Sequence, residues 1–91
     1  MIRRHFLIEG RVQGVGFRHW AAGAARKLEL TGWVRNLPRG SVEVQAQGRE
    51  ESVDTLGELL RKGPVSARVV RVTAIDCPVK ESEDTFHIRH F

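Results

Sequence analysis

Between Gly10 and Arg18 the chain reads Gly-Arg-Val-Gln-Gly-Val-Gly-Phe-Arg, three glycines and a closing arginine within nine residues. The stretch joins an apolar run, Phe6-Leu7-Ile8, to a segment with helical spacing. A glycine-bearing turn from strand into helix can aim several backbone N–H groups at one point, because glycine adopts positive φ and lets a ligand approach the main chain. The helix N-terminus adds unpaired N–H donors and partial positive charge. Such a turn offers anion binding, and phosphate binding above all. Arg18 breaks a local rule, since a cation in the first helical turn faces the positive end of the dipole unless an anion lies between them. Two readings stand side by side: a guanidinium aimed at a bound anion, or a solvated side chain on the outer face of the helix.

The familiar nucleotide loops are excluded. No Gly-x-x-x-x-Gly-Lys-Ser/Thr occurs, and Gly14-Val15-Gly16-Phe17-Arg18-His19 has His where a dinucleotide fingerprint needs its third glycine. A chain of 91 residues is also too short for a doubly wound sheet.

A second segment narrows the choice. Gly32-Trp33-Val34-Arg35-Asn36 is followed by Leu37-Pro38-Arg39-Gly40, then by Ser41-Val42-Glu43-Val44-Gln45-Ala46-Gln47-Gly48. Gly10-x-Val12-Gln13-Gly14-Val15-x-Phe17-Arg18 resembles the first signature of the acylphosphatase family. Gly32-Trp33-Val34-Arg35-Asn36-x-x-x-Gly40-x-Val42-x-x-x-x-x-Gly48 resembles its second. The order and separation of the two also agree, and the resemblance runs on to a Phe86-x-Ile88-Arg89 ending.

That resemblance implies hydrolysis of acyl phosphates, the mixed anhydrides of a carboxylic acid and phosphate, to carboxylate and inorganic phosphate. It assigns phosphate binding to Arg18 and positioning of the nucleophilic water to Asn36, and it places the phosphoryl oxygens against the backbone of Val12, Gln13, Gly14, Val15 and Gly16. The residue types suit the reaction. Phosphoryl transfer depends on positioning and on stabilising charge around the phosphoryl oxygens. A guanidinium supplies a fork of donors that stays charged at any working pH. An amide both donates and accepts, so it can orient water without titrating. Taken alone, Asn36 reads as a turn residue bonding its own backbone ahead of Pro38. Neither motif contains a general base, and a carboxylate leaving group needs no proton, so the substrate's own phosphate can accept the proton from water. No cofactor and no metal are implied. The expected partners are the acyl phosphate and inorganic phosphate alone, with a monomer as the simplest state.

The elements that position these residues can be read from periodicity. The first strand is expected over about Arg4 to Val12 and a helix from Arg18 to Leu30. Trp20, Ala21, Ala24, Ala25 and Leu28 form that helix's buried stripe, and Thr31-Gly32 ends it. Trp33-Val34 begins a second strand, and Leu37-Pro38-Arg39-Gly40 turns it into a third in which Val42, Val44 and Ala46 alternate with polar residues. Ser52 is placed to cap a second helix with a stripe of Val53, Leu56, Leu59 and Leu60, stopped by Gly63-Pro64. Gly57 inside that helix costs roughly 1 kcal/mol against alanine, with no reason visible in the sequence. Val69 to Ile75 reads as a fourth strand, and Phe86 to Arg89 as a short closing strand. The order predicts one α+β domain over residues 1–91. It is a ferredoxin-like split βαβ sandwich, an antiparallel sheet with two helices on one face and a short extra C-terminal strand.

Composition sets the remaining bounds. Hydrophobic content of 41% and charged content of 29% are ordinary for a globular chain. Glu9 interrupts the N-terminal apolar run, and no stretch approaches the ~18 apolar residues of a membrane span. A cytoplasmic location and no membrane contact are expected. The single cysteine, Cys77, has no intramolecular disulfide partner and no adjacent histidine to activate it. The net charge of +4 invites a nucleic-acid reading, but acidic residues interleave the basic ones. A ferredoxin-like RNA binder needs sheet aromatics and a Lys/Arg-Gly-Phe/Tyr-rich strand that this chain lacks. A role as an acylphosphatase-like domain in carbamoyl transfer calls for a long chain with zinc-finger parts, and one cysteine and 91 residues weigh against it. His87 and His90, three apart on an expected strand, face opposite sides and make a poor metal pair. His5 and His19 read as surface residues, and Trp20 and Trp33 as core or site-wall aromatics.

Overall fold

Apolar residues on alternate positions of three consecutive strands build the floor of this fold. The structure, a computed structural model, describes residues 1–90. Its elements are β1 (Ile2–Arg11), α1 (Phe17–Lys27), β2 (Thr31–Asn36), β3 (Val42–Gly48), α2 (Glu50–Lys62), β4 (Arg68–Cys77) and β5 (Phe86–Arg89). The strands form one sheet in the order β4-β1-β3-β2-β5. A single rung crosses it from edge to edge through Ala74, Phe6, Val44, Val34 and Ile88. The helices lie on that side of the sheet, α1 over β2 and β5, α2 over β4 and β1. Phe17, Ala21, Ala22 and Ala25 of α1 meet Val53, Leu56 and Leu60 of α2 in the same core. The split βαβ arrangement expected from the sequence is present.

The sheet is mixed rather than antiparallel throughout, because β5 runs parallel to β2. The reason lies in the connection. β4 ends at Cys77, opposite Arg3, and β5 begins at Phe86, opposite Gly32. Residues 78–85 therefore cross the sheet at one end, and a strand that starts at that end must run alongside β2. On the face away from the helices, Arg3 anchors this crossing. It is 1% exposed and donates from Nε to Gln45 (2.7 Å) and from Nη1 to Gln47 (3.2 Å). It also grips the Glu83 carboxylate with both terminal nitrogens, at 2.6 and 3.2 Å. Gln47 in turn donates to the Lys80 carbonyl (2.7 Å) and accepts from the Lys80 N–H (2.8 Å).

The helix ends differ from the sequence reading. α1 stops at Lys27, not Leu30, with Glu29 in the left-handed region at φ 59°. Leu30 N–H reaches back to the Ala25 carbonyl and Glu29 N–H to the Arg26 carbonyl, which closes the helix before Gly32. Gly32 belongs to β2. α2 starts at Glu50, with Arg49 in the capping position, so Ser52 does not cap it and lies buried within the first turn. Glu50 and Glu51 complement the dipole there. Trp20 and Ala24 are only half-buried, and the stripe of α1 is rotated toward Phe17 and Ala22. Gly57 has its reason in packing, since a Cβ there would stand 3.1 Å from Cε1 of Phe6.

Two stability predictions follow from these contacts. Gly57→Ala gains about 1 kcal/mol of helix propensity but overpacks a fixed core ring at a cost of about 1–3 kcal/mol. A net loss of about 1 kcal/mol is expected from denaturant midpoints. Burial alone would raise the Glu83 carboxyl, but hydrogen bonds from Arg3 and Thr31 outweigh it and hold the group below the ordinary carboxylate range. A depressed carboxyl contributes stability above its unfolded pKa and loses it as pH falls through the folded one. Glu83→Ala should therefore cost about 2–3 kcal/mol at pH 7, and the gap to wild type should close on acidification below about pH 4.

Candidate active site

β1 and β2 both pair antiparallel with β3, so they run in the same direction and end at the same edge of the sandwich. β5, parallel to β2, ends there too. The loop after β1, the last residue of β2 and the residue after β5 are thereby brought together. The loop after β1, the start of α1 and the end of β2 surround a cavity of about 90 Å3 lined by Val12, Gly14, Gly16, Phe17, Arg18, His19 and Asn36. By the same measure one water needs only ~10–15 Å3, so the space admits a group of several heavy atoms.

The loop is shaped by alternating backbone handedness. Gly14 (φ 73°) and Gly16 (φ 78°) are left-handed, and Val15 between them is not. Such alternation turns successive N–H groups toward one side, the geometry of an anion nest. Gly16 also precedes α1, makes no side-chain cap, and leads into a first turn with no acidic residue. The helix thus presents free N–H donors to the cavity. Val12 is buried at the strand end, while Val15 is half-buried against the core and its carbonyl accepts from Ser66 Oγ (3.1 Å). Gln13 points elsewhere: its amide donates to the Leu37 carbonyl at 2.7 Å and the Ser41 carbonyl at 2.9 Å.

Arg18 is the second residue of α1 and half-buried. Nη1 donates to the Arg89 carbonyl and stands beside His90 Nδ1, both at 3.3 Å. It meets no carboxylate among the described residues. Several guanidinium groups on the sheet do: Arg3 pairs with Glu83, Arg4 with Asp54 and Asp76, Arg35 with Glu43, and Arg71 with Glu9. Asn36 is half-buried at the end of β2, on the helix-facing side, level with Val42 and Ile8. Beyond it a shallower groove of about 460 Å3 is lined by Arg35, Leu37, Pro38 and His90. Arg35 is held there by Glu43, which His5 also contacts at 2.6 Å. Burial would raise the Glu43 carboxyl, but the His5 and Arg35 hydrogen bonds prevail and keep it low.

Arg18, Asn36 and the loop, read from two separate motifs, thus share one cavity. Other readings change. His90 lies past the end of β5 and beside Arg18, so the opposite-face argument for His87 and His90 does not apply. His87 lines a different groove with Asp84 and Arg26. His5 has a partner in Glu43, and His19 borders the cavity. Neither tryptophan walls it: Trp20 packs edge-on to Phe17 at 5.3 Å, and Trp33 lies on the far face of the sheet under Arg89 and Arg35. His90 and the Gln13 amide carried no sequence signal, since their partners lie 72 and at least 24 residues away. A larger groove between α2 and β4 is lined by Arg4, Arg61, Asp54, Glu58 and Asp76, charges that offset one another. No group of three or more metal-ligating side chains occurs among the described residues.

A split βαβ sandwich with a left-handed glycine loop, an arginine that meets no carboxylate among the described residues and an amide in one small cavity has the chemistry of proteins that bind small phosphorylated or other anionic molecules. The comparisons with known proteins narrow that class. The sequence model of the acylphosphatase family matches residues 4–88. An acylphosphatase of Nitratidesulfovibrio vulgaris is 50% identical over 98% of this chain and 91% of its own. The crystal structure of acylphosphatase from Bacillus subtilis superposes with a TM-score of 0.93 at 32% identity, covering 98% of this chain and 99% of that one. An acylphosphatase from Coxiella burnetii gives a TM-score of 0.92 at 39% identity, over 97% and 92%. The chain belongs to the acylphosphatase family.

The loop geometry yields a stability prediction. A Cβ on Gly14 or Gly16 would meet nothing within 4 Å, so alanine is opposed there by backbone strain alone. Gly14→Ala and Gly16→Ala should each cost about 1–2 kcal/mol in denaturant unfolding.

Proposed function

We propose that the acyl phosphate hydrolysis of this acylphosphatase takes place in the 90 Å3 cavity between the β1–α1 loop and Asn36. In this reading the backbone N–H groups from Val12 to Gly16 hold the phosphoryl oxygens and the α1 dipole adds to them. Arg18 supplies charge-assisted hydrogen bonds to the same oxygens, in a place where no carboxylate among the described residues competes for it. Asn36 orients the attacking water. The carboxylate leaves from phosphorus without protonation, and the substrate's phosphate accepts the proton of the water. The cavity supports that last step in one respect, because none of the described residues that line it carries a carboxylate. Its one imidazole belongs to His19, which is largely exposed. The reading calls on no second chain and on no metal.

The observation that carries this reading is the convergence of Arg18 and Asn36, 18 residues apart and on different elements, on one anion-sized space. Benzoyl phosphate hydrolysis in the presence of a chelator tests it. Arg18→Ala should lower kcat/KM by about 1000-fold or more, and Asn36→Ala should lower kcat by about 100-fold with KM little changed. His19→Ala should stay within about threefold of wild type if the substrate itself takes the proton. Folded wild type without activity would refute the assignment of the site, and an unaffected Asn36→Ala would return Asn36 to the role of a turn residue.

A further inference from the structure

β1 and β2 are not neighbours in the sheet, because β3 lies between them. No ladder hydrogen bond joins the anion loop after β1 to Asn36 at the end of β2. The two halves of the site would be free to shift by the amplitude of two surface turns, unless something else ties them. That tie is the Gln13 side chain. Its amide spends both of its N–H donors on the turn after Asn36, on the Leu37 carbonyl at 2.7 Å and the Ser41 carbonyl at 2.9 Å. These two carbonyls stand at either end of that turn. Ser41 O also accepts from Leu37 N–H (2.9 Å), and Leu37 O accepts from Gly40 N–H (3.2 Å). The amide therefore spans the mouth of the turn and fixes the backbone directly following Asn36.

We infer that Gln13 is a positioning residue: its side-chain amide latches the phosphate loop to the β2–β3 turn and sets the distance between the bound phosphoryl group and the water held by Asn36. The inference rests on the reading of Asn36 given above. The residue type is demanded by the contact. Glutamate would set a carboxylate against two carbonyl oxygens, and asparagine is one methylene too short to keep the reach. The turn keeps its own internal hydrogen bonds without the latch, so what is lost is registration of Asn36 and not the turn itself. Displacements near 1 Å at a reacting centre are enough to cost about 100-fold in rate.

The test is a double-mutant cycle between Gln13→Met and Asn36→Ala, read as kcat and KM for benzoyl phosphate and as the competitive Ki of inorganic phosphate. Circular dichroism establishes that each variant is folded. Gln13→Met should lower kcat by about 10- to 100-fold while Ki for phosphate stays within about threefold. In the Asn36→Ala background the same change should cost less than about twofold, since a latch has nothing left to position. An equal loss in both backgrounds, or a loss confined to Ki and KM, overturns the latch and leaves the reading of Asn36 intact. Full activity of Asn36→Ala alone overturns the reading of Asn36, and the latch with it. Should Gln13→Met fail to fold, Gln13→Asn, which keeps the amide but not its reach, runs through the same cycle with the same expected pattern.

Discussion

The antiparallel pairing of β3 with both β1 and β2 is the constraint on which the remaining structure depends. One strand in the middle, reversed relative to its two neighbours, makes those neighbours parallel without pairing them. Their C-terminal ends then fall side by side, and each carries half of the proposed site: the glycine loop and α1 after β1, Asn36 at the end of β2. The same direction is imposed on β5, because residues 78–85 cross at the opposite end of the sheet. Arg89 and His90 are delivered to Arg18 as a consequence. Alternation of side chains about the strands does the rest. Phe6, Val44 and Val34 go under the helices, while Arg3, Gln45 and Gln47 gather on the other face and hold the crossing in place.

Charge is arranged with equal economy. The chain is basic, yet Arg3, Arg4, Arg35 and Arg71 on the sheet are matched by carboxylates, and Glu43 is shared between Arg35 and His5. Arg18 differs from these four: it lies at a helix N-terminus, contacts the Arg89 carbonyl and His90 Nδ1, and meets no carboxylate among the described residues. A cation beside a helix N-terminus is an unfavourable placement in an empty site and a favourable one when an anion bridges the two. Strain of this kind is the expected signature of a place built for a ligand rather than for stability.

Much of this could be read from the chain. Gly14, Gly16 and Arg18 mark a strand-to-helix anion loop by residue type alone, and Val42, Val44 and Ala46 state which face of β3 is buried. Element boundaries were less legible where local preference lost to packing. Ser52 is a good capping residue by type, but the apolar stripe of α2 turned it inward and gave the start of the helix to Glu50 and Glu51. Gly32 looked like the end of α1, while Glu29 took the left-handed position and ended it earlier. The parallel direction of β5 depends on where a loop crosses the sheet, which no strand pattern encodes.

By itself the sequence determined the element types, the buried faces and the chemical vocabulary of the site, because these rest on side-chain size, polarity and backbone freedom at single positions or short periods. Only the tertiary structure decided the reason for Gly57, which is the Phe6 ring against it. It likewise decided the neighbours of Arg18 and the use of the Gln13 side chain. Each of these is a contact between residues far apart in the chain, and such contacts depend on strand order and register. A pattern read along one dimension carries no distance between segments, and it is distance that makes two half-sites one.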